Sequence, residues 1–399
     1  MGNILENFEN IRCSRRDFLK WPVDRTRDIA LASAALSLVG CVEATREPSV
    51  EEQEAQKQLE YISPSMLFID FSVQKPGDDV HLLAPVDNLG VWQQAIRGVR
   101  SPNSIKQAII GSFAYANGFN DYSTHGLKTV GASRSYLAQH GYRTDYFHYP
   151  LQNILADPLS SIEIEPVDDG RLIVETEISP EAIVNHLNNL PDTFPLPKMI
   201  VLPFQVGRMV TEVIFKDEHG DFLPKPIYVS SGAYYGSHAY ENIKGVNMIA
   251  NSFSSSEVFF AAGNQQDSYS KINEQLALEG IAATNANGIA EWGEADSYHI
   301  DGALLYIPNE QLGFPRGASY STPIYPSALA ILQHHGLTVD TGIASIREHS
   351  SRHMYFNNGI ATVSDGALFD ENLFDTYLAD NQFVAGKDPH PQPVASRRY

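Results

Sequence analysis

Four polar residues sit where a strand or helix is expected to end or begin, and together they could break an acyl bond. Ser319 lies in Gly317-Ala318-Ser319-Tyr320-Ser321-Thr322-Pro323, at the predicted start of a helix. There, unpaired backbone N–H groups and the helix dipole favour developing negative charge. A serine hydroxyl becomes a useful nucleophile only beside a base that takes its proton. His125, in Ser123-Thr124-His125-Gly126, is expected at another helix start, with a glycine beside it that leaves room for a close neighbour. Asn264 closes the run Phe260-Ala261-Ala262-Gly263-Asn264 with an amide of the kind that can hold an oxyanion. Asp70 closes Met66-Leu67-Phe68-Ile69-Asp70 and could hold an imidazole in one tautomer. Each residue also has an ordinary structural use: serine caps helices, and aspartate and asparagine make turns.

The elements that must position these groups follow an α/β pattern, in which apolar strand-like runs alternate with helix-like ones. Strands are predicted at Met66–Ile69, Arg143–Tyr149, Ile227–Val229 and Val258–Ala261. One helix is expected from His125 to a C-cap at Gly141. A second is expected after Ser237, with Ala239, Ile243, Val246, Ala250 and Phe253 at helical spacing, and a third through Ala328 and Leu332 stops before Gly336. The fold class is therefore α/β, with a mostly parallel sheet and helices on both faces. Sites in such sheets lie at the carboxyl ends of the strands. The stretch between His125 and Gly232 is longer than helix plus strands require. The excess is assigned to an insertion around 151–226, with a hairpin at Ile162–Pro166 and Arg171–Ile178 and a helix at Pro180–Leu190.

Taken in order, these boxes resemble those of the subtilisin-like serine proteases. Gly317 to Pro323 is similar to Gly-Thr-Ser-Met-Ala-Thr-Pro, and His125 to Gly131 to His-Gly-Thr-His-Val-Ala-Gly. Ala261 to Asn264 matches Ala-Ala-Gly-Asn, and Phe68 to Ser72 resembles the family's Asp-Thr-Gly or Asp-Ser-Gly box. The order Asp, His, Ser is the subtilisin order. The resemblance implies a three-layer fold, with Ser319 as nucleophile, His125 as base, Asp70 as the acid that orients it and Asn264 as oxyanion donor. It also implies a substrate-lining strand at Ile227–Gly232, with Ser230, Ser231 and Gly232 as contacts. The supporting residues depart from the family: Asp70 is followed by Phe71-Ser72, His125 by Gly126-Leu127-Lys128, and Ala318 precedes the serine. A cation at Lys128 would lower the imidazole pKa if it faces inward. These departures keep a second reading open, a catalytically degenerate fold acting as a protein-binding module. An esterase or lipase using Gly317-x-Ser319-x-Ser321 is disfavoured, because that fold places its acid and histidine after the serine.

The chain has 399 residues, 43% of them hydrophobic, with 28 Lys+Arg against 48 Asp+Glu and a net charge of −20. That is apolar enough for a sizeable core and too acidic for nucleic acid to be a natural partner. Two cysteines, Cys13 and Cys41, exclude a disulfide scaffold and a four-thiolate zinc site. No cofactor is expected. Calcium is frequent in the family, but no ordered Asp/Asn loop supports it here. Ser14-Arg15-Arg16-Asp17-Phe18-Leu19-Lys20 resembles the twin-arginine export signal. The apolar stretch Ile29–Gly40 is short for a membrane span and ends in Leu38-Val39-Gly40-Cys41, which resembles a lipobox. The expected organisation is a signal peptide at 1–40, an acidic tether at 41–60, the catalytic domain at 61–385 and a loose tail at 386–399. The expected product is an exported serine endopeptidase acting on protein or peptide, anchored in the cell envelope by a lipid on Cys41.

Overall fold

A strand with no polar alternation is covered on both faces, and the central sheet of this protein is built from such strands. The computed structural model describes residues 59–386, except 64, 72–76, 88–89, 91–117, 168–169, 192–193, 195, 218, 231–234, 263–268, 292–304, 310–311, 315–316 and 358–359. The first strands are β1 (Glu60–Tyr61), β2 (Met66–Asp70), β3 (Val80–Leu82), β4 (Tyr142–Arg143) and β5 (Tyr146–Pro150). There follow β6 (Ser161–Pro166), β7 (Arg171–Ile178), β8 (Met199–Leu202), β9 (Gly207–Lys216) and β10 (Phe222–Ser230). The last are β11 (Glu257–Ala261), β12 (Ala286–Glu291), β13 (Leu305–Ile307), β14 (Ser351–Asn357) and β15 (Ile360–Leu368). The helices are α1 (Gly118–Gln139), α2 (Leu151–Ala156), α3 (Pro180–Asn188) and α4 (Tyr235–Ser252). They continue with α5 (Tyr269–Leu278), α6 (Ala318–His334), α7 (Val339–Glu348) and α8 (Glu371–Asp380).

The main sheet has nine strands in the order β14-β15-β13-β12-β11-β8-β2-β5-β3. Every neighbouring pair is parallel except β14 with β15. Successive side chains of a strand point to opposite faces, and the two cores divide accordingly. Met66, Phe68, Met199, Val201 and Phe259 pack with α1, α6, α7 and α8. Leu67, Ile69, Ile200, Leu202, Val258 and Phe260 pack with α2, α3 and α4. The result is the expected three-layer α/β arrangement. The chain runs from β2 to β5 on one side, then crosses to β8 on the other. β2 is thus the strand where the order reverses, the place where open α/β sheets hold their ligands.

The hairpin of β6 and β7 forms as expected, paired antiparallel from Ser161↔Glu177 to Pro166↔Leu172, and α3 opens on Ser179, whose Oγ accepts from the Ala182 N–H at 3.2 Å. Other expectations need correction. The stretch 151–226 is not one insertion, because β8 within it is a fully buried strand of the main sheet between β2 and β11. Ile227–Val229 is a strand, but it belongs to β10 at the edge of a separate antiparallel sheet, β10-β9-β7-β6. Pro224 and Pro226 in β10 lack the N–H a central strand needs on both sides, which confines it to an edge. Helix α1 begins at Gly118, so His125 lies two turns inside it and not at its start. Likewise α4 begins at Tyr235, ahead of Ser237. The predicted helix ends hold: Gly141 and Gly336 have φ of 84° and 90°, the left-handed conformation glycine adopts without a Cβ clash.

Candidate active site

Asp70 is the last residue of β2 and is completely buried. A buried carboxylate must be met by donors, and Asp70 is. Its Oδ1 accepts from the Phe71 N–H at 2.7 Å, and its Oδ2 lies 2.8 Å from the Thr129 hydroxyl. Nδ1 of His125 stands 2.9 Å from Oδ1 and 3.0 Å from Oδ2. The backbone behind it is tied as well, because His148 Nε2 lies 3.0 Å from the Asp70 carbonyl oxygen. A carbonyl only accepts, so Nε2 donates this bond, and burial pushes the His148 pKa down. The orientation expected for a triad acid is therefore made by the first turn of chain after β2 and by one face of α1.

His125 reaches Asp70 because Gly126 lets α1 approach the chain leaving β2. A Cβ on Gly126 would lie 1.8 Å from the Phe71 carbonyl oxygen, so this position admits only glycine. The close neighbour expected beside His125 is thus the backbone of Phe71. Burial disfavours a charged imidazole at His125, but the Asp70 charge and its hydrogen bond outweigh burial, and Lys128 subtracts part of the gain. The net direction is upward, so His125 keeps a proton to higher pH than a free histidine. The expected lowering by Lys128 exists as one contribution and does not decide the sign.

Ser319 is the second residue of α6, half-buried, with its N–H in the first turn where no intrahelical acceptor exists. Gly317 ahead of it has φ 126°, a conformation that favours glycine. Asn309, fully buried, braces this turn from both sides. Its Nδ2 donates to the Gly317 carbonyl at 3.1 Å, and its Oδ1 accepts from the Ser321 hydroxyl at 2.9 Å. Two observations bring Ser319 level with His125. The Ser133 and Ser327 hydroxyls meet at 2.6 Å, joining α1 to α6. Each of these serines lies eight residues after His125 or Ser319, about 12 Å along its own helix. The Tyr320 ring, next to Ser319, stands 6.1 Å from the His125 ring. The Ser319 hydroxyl bonds neither His125 nor any other described residue. Bonds of this kind often tighten only when substrate is present.

Asn264, Ser231, Gly232 and Cys41 lie outside the described residues. Ser230, expected on a substrate-lining strand at Ile227–Gly232, ends β10 in the separate antiparallel sheet, while the strand beside β2 on that side is β8. Phe68 pairs with Val201, which puts the residues leaving β8, Pro203 to Val206, beside the Asp70 end of β2. Three residues that shape the site were not anticipated: Thr129, Asn309 and His148. Thr129 stands four residues after His125 on the same helical face, a spacing that pointed to it. Asn309 and His148 come from distant segments, and nothing in their spacing ties them to Ser319 or Asp70. Among the described residues, one group of three His, Asp or Glu side chains converges closely enough to hold a metal: His140, Glu371 and Asp375.

No protein-family model matches the chain, and no curated protein matches it significantly. Among solved structures it is similar to the epidermin leader peptide processing serine protease EpiP from Staphylococcus aureus. That likeness has 13% identity and a TM-score of 0.36, covering 83% of this chain and 79% of that one. A mutant of the same enzyme gives 13% identity and a TM-score of 0.35 over 88% of this chain and 89% of that one. At such identity the chemistry has to come from this chain's own residues.

Proposed function

We propose that the chain is a subtilisin-like serine endopeptidase that cuts protein or peptide substrates with Ser319, His125 and Asp70. The observation that carries this reading is the clasp of His125 Nδ1 by both oxygens of the buried Asp70, at 2.9 and 3.0 Å, beside the helix start that bears Ser319. With its proton held on Nδ1, the ring offers Nε2 as the base. Ser319 Oγ attacks the substrate carbonyl carbon while Nε2 takes the hydroxyl proton. Asp70 stabilises the imidazolium, and the Ser319 N–H and the Asn264 amide receive the oxyanion. The adduct collapses to an acyl-enzyme as His125 passes its proton to the leaving amine. Water, deprotonated by the same nitrogen, then releases the acid and restores Ser319.

Hydrolysis of casein and of a fluorogenic peptide library tests the reading. Wild-type protein should cleave both, and Ser319→Ala should lose about 10⁶-fold in kcat while keeping its melting temperature. Cleavage of esters with proteins left intact would instead favour an esterase. A folded wild type that cleaves neither would leave only the binding-module reading.

We further propose export by the twin-arginine route and a lipid anchor at Cys41, supported by Arg15-Arg16 and Leu38-Val39-Gly40-Cys41. Among the described residues no helix is long and apolar enough to cross a membrane. Mass spectrometry of the protein from its native host should find an acylated Cys41 at the N-terminus, and an unmodified Met1 would refute this proposal.

A further inference from the structure

At the far end of α1 from His125, about 22 Å along the helix, His140 meets two carboxylates from α8. Its Nε2 lies 3.2 Å from Glu371 Oε1 and 3.1 Å from Asp375 Oδ1. Its Nδ1 lies 3.0 Å from the Tyr136 carbonyl oxygen. A carbonyl only accepts, so Nδ1 carries a proton, and Nε2, facing two carboxylates, needs either a proton of its own or a metal ion shared with them. Metal-bound histidines show the same arrangement, the second ring nitrogen donating to a backbone carbonyl.

We infer that His140, Glu371 and Asp375 bind one divalent transition-metal ion, zinc being the best match, and that this ion staples α8 to the end of α1. Ligand atoms 2.0–2.1 Å from tetrahedral zinc are separated by ~3.3 Å, close to the 3.1 and 3.2 Å seen here. One imidazole and two carboxylates cancel a divalent charge.

A proton on Nε2 alone would leave two buried atoms unanswered. The Tyr136 hydroxyl, on a side chain that is completely buried, and Glu371 Oε2 have no hydrogen-bond partner among the described residues. The Tyr136 ring lies 4.6 Å from the His140 ring. A metal accounts for both atoms: the second Glu371 oxygen completes the carboxylate's hold, and a metal-bound water supplies Tyr136 with a partner. Phe374, its ring 6.2 Å from that of His140, closes one side, and Asp375, about half exposed, leaves an entry path.

Isothermal titration of chelator-treated, untagged full-length protein with zinc chloride tests the inference. The expected result is one zinc per chain. At a hundredfold excess over Kd the melting temperature should rise by about 3–4 °C. His140→Gln should abolish this binding. Asp375→Asn, on the exposed side of α8 and harmless to folding, should weaken it at least tenfold, while His125→Ala should bind zinc as the wild type does. If His140→Gln fails to fold, Asp375→Asn decides alone. Absence of a one-equivalent site in the wild type, or undiminished affinity in Asp375→Asn, would overturn the inference. Neither result depends on whether the protein is a peptidase.

Discussion

Replacing Gly126 by alanine attacks the His125–Asp70 pair through a clash that the structure measures. The new methyl would meet the Phe71 carbonyl oxygen at 1.8 Å, its carbon at 2.9 Å and His148 Cε1 at 3.0 Å. Phe71 holds the Asp70 carboxylate through its N–H, and His148 holds the Asp70 backbone carbonyl. A backbone oxygen cannot swing aside as a side-chain tip can. To reach even a tight 3.0 Å contact, α1 and the chain after β2 must part by about 1.2 Å. That movement takes His125 from 2.9 Å to about 4 Å from Asp70, beyond hydrogen bonding. A displacement of about 1 Å costs about 10² in rate, and full loss of the acid's hold on the imidazole about 10⁴. Gly126→Ala should therefore lower kcat/KM between 10² and 10⁴-fold, with an overpacking cost of about 1–3 kcal/mol in stability. Gly131→Ala, five residues on in the same helix, meets nothing within 4 Å. It should keep full activity and gain about 0.5–1 kcal/mol, as alanine replaces glycine inside a helix. Steady-state hydrolysis of one fluorogenic peptide, with a urea melt of each variant, makes the comparison. Retention of more than a third of wild-type kcat/KM by Gly126→Ala would refute the reasoning.

Three other substitutions probe the neighbouring supports. Lys128 lowers the His125 pKa, so Lys128→Ala should move the acidic limb of the kcat/KM profile to higher pH; an unmoved limb would deny the coupling. In the wild type the same limb should lie above the ordinary histidine value of about 6.5. The stabilisation that protonated His125 draws from Asp70 should be complete below that pH and fade as pH rises through the folded value. Thr129→Val removes one donor to the buried Asp70 carboxylate. It should cost about 1.5–3 kcal/mol in stability and lower kcat with KM unchanged, where a purely structural role would leave kcat alone. Asn309→Ala removes one donor from the Gly317 carbonyl, which keeps the Tyr320 and Ser321 N–H groups, and takes the Asn309 acceptor from the Ser321 hydroxyl. It should cost about 2–3 kcal/mol by denaturant unfolding and reduce the reactivity of Ser319.

The parts of the site legible in the sequence are those set by local chemistry. Met66–Ile69 has no polar alternation and could only be a buried strand, which put Asp70 at its end. Gly317 ahead of Ser319 announced a turn into a helix, and Gly126 announced a close approach to His125. What the sequence concealed was set by pairing between distant segments. Met199–Leu202 and Ile227–Val229 are equally apolar, and only pairing decides that the first enters the main sheet. Pro224 and Pro226 were the signal against the second. The start of α1 was misjudged because no proline or glycine interrupts the polar stretch between Gly118 and His125. His140 and Asp375 are 235 positions apart, so no spacing rule could have joined them.

The central claim is that Ser319 is a nucleophile activated by the His125–Asp70 pair. It is tested most directly by incubating the folded protein with a fluorophosphonate probe and locating the adduct by mass spectrometry. The account predicts one phosphonylated residue, Ser319, with labelling abolished in Ser319→Ala and strongly slowed in His125→Ala. No adduct on folded wild-type protein, or equal labelling of wild type and Ser319→Ala, would contradict it.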